Sequence, residues 1–96
     1  MSLSSIYTEL HRHAARTGTD RAQTLTGGAR IAVRVQAGIV TLTISRQKKK
    51  VGDTELITFR RDCGVPPDAA RYPAEGQGQK GDFWYIAYRW AEGEST

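Results

Sequence analysis

Four groups of residues in this 96-residue chain could do chemistry: the lone Cys63, the pair His11 and His13, the basic run Arg46-Gln47-Lys48-Lys49-Lys50, and the aromatic run from Phe83 to Trp90. Cys63 follows Arg60 and Arg61 and precedes Gly64. Cations beside a thiol favour the thiolate, the nucleophilic form. A cysteine nucleophile also needs a general base, and no local signature joins Cys63 to either histidine. A small, partly buried side chain at the end of a strand explains Cys63 as well, so no catalytic residue is assigned. On a helix, residues two apart point about 200° apart, so His11 and His13 do not converge on one ion. One cysteine also excludes an intrachain disulfide and a Cys-based structural zinc site, and neither metal nor cofactor is expected. The string GQGQKGD lacks the spacing and following helix of a phosphate-binding loop. Asp20, Asp53, Asp62, Asp68 and Asp82 fall at expected turns or element ends, where a carboxylate closes or caps a turn.

Charge carries more information. The net charge is +4, with 14 basic and 10 acidic residues, and the pI is about 9.6. Residues 1–61 hold 11 basic and four acidic side chains, and residues 62–96 hold three and six. Arg46, Lys48, Lys49 and Lys50 are expected at a hairpin tip, where cations can follow a phosphate backbone. Arg30 and Arg34 on the sheet, with Arg12 and Arg16 at a helix end, would extend that contact. A solvated tip that discourages edge pairing is the plainer explanation of the same lysines.

Those residues need elements to hold them. Leu3, Ile6, Tyr7, Leu10 and Ala14 recur at helical spacing over residues 2–16, with Ser2 as N-cap and Gly18 as the stop. Residues 29–36 and 39–46 read as a β-hairpin. Placing Val35 opposite Val40, Val33 opposite Leu42 and Ile31 opposite Ile44 gathers these six aliphatic side chains on one side. Pairing Arg34 with Thr41, Ala32 with Thr43 and Arg30 with Ser45 makes the other side polar. A third strand is predicted over 54–61, with Ile57 and Phe59 in the core and Leu56 on the polar side. The last strand, 83–90, puts Trp84, Ile86, Tyr88 and Trp90 toward the core, and Phe83, Tyr85, Ala87 and Arg89 away from it. Residues 62–82 read as a long loop, with one helical turn between Pro67 and Pro73 and a glycine-rich, mobile second half. The expectation is a single α+β domain, a helix packed on one face of a four-stranded antiparallel, meander-like sheet.

Three functional readings follow. The first is a small basic, non-enzymatic module that contacts nucleic-acid backbone without reading sequence. The alternative is a protein-interaction or homo-oligomerisation domain, with Leu56 and Tyr85 nucleating an apolar patch and the acidic stretch 91–94 meeting the basic hairpin of another chain. The third is a small enzyme using Cys63. No apolar run is long enough to span a bilayer, and the amino terminus lacks the pattern of a secretory signal, so a cytoplasmic location is expected.

Overall fold

The computed structural model describes residues 2–25, 28–50, 52–72 and 77–93. Its elements run α1 (Leu3–Thr17), β1 (Arg21–Thr24), β2 (Ala29–Gln36), β3 (Ile39–Gln47), α2 (Asp53–Asp62), β4 (Ala70–Arg71), β5 (Gln77–Lys80) and β6 (Phe83–Ala91). The hairpin β2–β3 has the expected register, with Val35 opposite Val40, Val33 opposite Leu42 and Ile31 opposite Ile44. All six of those side chains are buried. The two-residue turn Ala37-Gly38 has positive φ at both positions, +52° and +76°, the twist that matches two right-handed strands.

Helix α1 lies on the aliphatic face, burying Ile6, Tyr7, Leu10 and Ala14. Its ends close as the residue types require. Ser2 Oγ accepts from the Ser5 N–H at 3.2 Å. Gly18, in the left-handed region at φ +67°, donates its N–H to the Ala14 carbonyl at 2.7 Å.

The sheet has six strands, not four, in the order β1-β2-β3-β6, with β4 and β5 sharing the outer edge of β6. β6 therefore lies directly against β3, without the intervening strand of a simple meander. The segment predicted as that strand is helix α2. Leu56, Phe59 and Cys63 stand at i, i+3 and i+7 and are buried, whereas Ile57 is 67% exposed. Ten residues satisfy both periods, so apolar alternation alone misleads there. The helical evidence is electrostatic. Asp53 and Glu55 occupy the first turn and Arg60 and Arg61 the last, each complementing the helix dipole. Glu55 Oε2 also accepts from the Gly52 N–H at 3.1 Å, satisfying a donor the helix cannot.

The long loop is likewise partly structured. β1, β4 and β5 carry almost no apolar residues, so no periodicity announces them; they form by pairing with strands already in place. Only a single turn forms after Pro66, closed by the Ala69 N–H on the Pro66 carbonyl at 3.1 Å. Pro73, expected to end it, lies outside the described residues, as do residues 74–76. Arg60 braces this segment, donating to the carbonyls of Pro66 and Pro67 at 2.7 and 2.6 Å. Its guanidinium rests 4.9 Å from the centroid of the Tyr88 ring. Among the described residues, no helix is long and apolar enough to cross a membrane.

Two stability measurements follow. Leu56→Ala should cost about 2–5 kcal/mol in urea denaturation, as cavity-forming core truncations do, while Ile57→Ser should stay within about 0.5 kcal/mol; a strand would reverse that order. Ala37→Asn, which relieves a left-handed alanine, should gain about 1 kcal/mol.

Candidate functional site

Both helices pack on the face of Ile31, Leu42 and Tyr88, so the opposite face of the sheet is open. Register decides what stands there. Arg30 lies opposite Ser45, which lies opposite Tyr85, which lies opposite Gly78. One step along the sheet, Ala32, Thr43 and Ala87 form a row of small side chains, and beyond it Arg34, Thr41 and Arg89 form another. The floor along β3 is thus Thr41, Thr43 and Ser45, all half-buried. One bank carries Arg30 and Arg34. The other carries Phe83, Tyr85 and Arg89, with the Tyr72 ring centroid 5.2 Å from the Arg89 guanidinium.

The result is a shallow groove along β3. A concavity of about 320 Å³ at one end is lined by Arg30, Thr43, Ser45, Lys80, Phe83 and Tyr85. It shares Thr43 with a second of about 240 Å³ that reaches Arg34, Thr41 and Tyr72. Those three residues also line a third concavity, of about 300 Å³, that ends at Arg89. Tyr85 leans over the position of Gly78. A Cβ built there would make ordinary contact with the ring, 3.4 Å from the Tyr85 hydroxyl oxygen.

The candidate cations separate into four places. Arg30 and Arg34 line the groove, about 13 Å apart along the strand. Asp20, at 3.6 Å from Arg34, is the one carboxylate that pairs with a groove arginine among the described residues. Lys48, Lys49 and Lys50 are exposed, but at the connection from β3 to α2 and not at a hairpin tip. The Lys48 N–H donates to the Asp82 carbonyl at 2.6 Å, which holds the start of this connection beside the β5–β6 turn and the Phe83 end of the groove. Arg46 departs from its expected role. It points to the helix side of the sheet and pairs with Glu55 of α2, with 19% of its side chain exposed. The Gly52 N–H and Arg46 together hold the Glu55 carboxyl below its ordinary pKa. Arg12 and Arg16 are exposed on α1, in the layer opposite the groove, and cannot extend the same surface.

The remaining candidates lie away from the groove. Burial pushes the Cys63 thiol up to about 12, helped by the Asp62 carboxylate; the adjacent arginines do not activate it. His11 packs against the Tyr7 ring, with Nε2 3.8 Å from Glu92, while His13 Nδ1 contacts Arg16 Nη2 at 2.8 Å. Among the described residues, no cluster of His, Cys, Asp and Glu is placed to hold a metal. Leu56 is buried, so the expected Leu56–Tyr85 surface patch does not form. Glu94, part of the acidic stretch, lies outside the described residues. Tyr72 and Lys80 join the groove from the segment expected to be loop. The Gly81-Asp82 turn ahead of the aromatic strand is the one signal that could have set Lys80 opposite Phe83.

Comparison with protein-family models, curated proteins and solved structures returns no match to this chain.

The state of Cys63 is open to measurement. Native protein at pH 8 should react slowly with a thiol reagent and rapidly once unfolded in urea. Because the thiol's folded pKa lies above its unfolded value near 8.5, the unfolded chain loses this proton first as pH rises. Stability should fall from about pH 8.5 upward, and Cys63→Ala should flatten the start of that decline.

Proposed function

We propose that the chain is a small binding module whose open sheet face engages the backbone of a nucleic acid. The observation that carries this reading is where the excess charge lies. Helices α1 and α2 together hold four acidic and four basic side chains, so they contribute no net charge. The +4 of the chain belongs to the sheet and its connections. There, Arg30, Arg34 and Arg89 stand along one groove, with Lys80 at its end and Lys48–Lys50 adjoining.

Cations set along a groove release the counterions condensed on a polyanion, an attraction that needs no sequence recognition. Arginine suits the banks because its planar fork can bind phosphate oxygens in pairs. The lysines beyond the mouth of the groove act as point charges that draw the strand in. No residue here is asked to break a bond.

The test is a salt titration of binding to mixed-sequence DNA and RNA. Affinity should fall linearly on logarithmic axes. Replacing Arg30 and Arg34 by Gln, or Lys48–Lys50 by Ala, should make the slope shallower by about 0.7 for each single-strand phosphate that is no longer neutralised. Arg12→Gln with Arg16→Gln should leave it unchanged. Absence of binding at low salt, or a slope that responds only to the helix arginines, would overturn this function.

A further inference from the structure

The two banks of the groove differ in chemistry, and that difference bears on which form of nucleic acid fits. The bank on β2 offers guanidinium groups, Arg30 and Arg34. The facing bank offers aromatic rings, Phe83 and Tyr85 on β6 and Tyr72 beside them, with Arg89 against Tyr72 at its far end. The floor between them is hydroxyl-bearing and small. Two strand spacings, about 10 Å, separate the backbone of Arg30 from that of Tyr85. A nucleotide has the same division, with an anionic phosphate at one side and a flat π-surface at the other.

From this juxtaposition of arginine and aromatic banks we infer that the groove takes a single strand, its bases laid on Tyr85 and Phe83 and its phosphates turned to Arg30 and Arg34. The inference rests on the nucleic-acid reading above and narrows it. In a duplex the base faces are covered by their neighbours and are not offered to a protein ring, whereas an unpaired strand can splay its bases onto aromatic side chains. Tyr85 is prepared for this. Its phenol end lies against Gly78 of the neighbouring strand, and the residue is only half-buried. Phe83, 41% exposed, is one of two large apolar side chains left that open among the described residues. The other, Ile57, is on α2, away from the groove. Ser45 and Thr43 supply hydroxyls beneath the base, able to donate or accept and therefore tolerant of any base. Lys80 closes the end of the same concavity.

The experiment compares three end-labelled probes of equal length by fluorescence anisotropy at low salt: a mixed-base single strand, the same backbone with abasic sites throughout, and the corresponding duplex. The base-bearing strand should bind at least about tenfold more tightly than the abasic one, the scale expected for one stacked base. Tyr85→Leu should shrink the ratio of base-bearing to abasic affinity several-fold, the scale of one lost stacking contact. Phe83→Leu, at an exposed position, should reduce the same ratio and serves if Tyr85→Leu fails to fold. Equal affinity for base-bearing and abasic strands, or tighter binding of the duplex, overturns the single-strand inference and leaves backbone binding standing. Failure of all three probes to bind removes both.

Discussion

Everything in this fold depends on the strict two-residue alternation of β2, β3 and β6. Each strand sends its large buried side chains to one face, so that Ile31, Ile44 and Ile86 line up across three strands, as do Val33, Leu42 and Tyr88. A one-residue slip of any of them would turn its whole apolar set to water. That face must be covered, and α1 and α2 are both spent on covering it. The opposite face, built of threonine, serine, alanine, arginine and tyrosine, has no such need and stays open. The groove follows from this division, because the pleat that buries the isoleucines also aims Arg30, Ser45 and Tyr85 at the other side.

The same division sorts the charges. Asp53, Glu55 and Glu92 serve the helical layer, at the first turn of α2, opposite Arg46, and beside His11. The open face is left with arginines and few carboxylates. A net charge of +4 is modest for a chain of this size. Its placement along one groove makes it informative. Arg46 shows why position outweighs count. It belongs to the most basic run in the sequence, yet odd and even positions of β3 face opposite ways, and its place sets it against Glu55 on the helical side.

How far the sequence discloses this structure depends on where its apolar residues are. The β2–β3 register, the caps of α1 and the two faces of β6 are legible because long alternating or helical stretches admit one solution. The Thr54–Arg61 segment admits two, and Leu56 and Ile57 exchange places between them; the charges at its ends favour the helix that forms. β1, β4 and β5 are illegible by patterning, since their short polar sequences acquire order from neighbours distant in the chain. Tyr72 and Lys80 are invisible as groove residues for that reason. The cationic bank and Tyr85 can be read as neighbours, but the direct β3–β6 pairing that makes a groove of them is a long-range fact. No alternation within a single strand records it.

The most direct test of the account is to map where a short single-stranded oligonucleotide touches the folded protein, by following backbone amide resonances during a titration. Shifts should gather along the groove, at Arg30, Arg34, Thr43, Ser45, Lys80 and Tyr85, with the outer surfaces of α1 and α2 unchanged. Shifts confined to the helices around Arg12 and Arg16, with the open face silent, would contradict it.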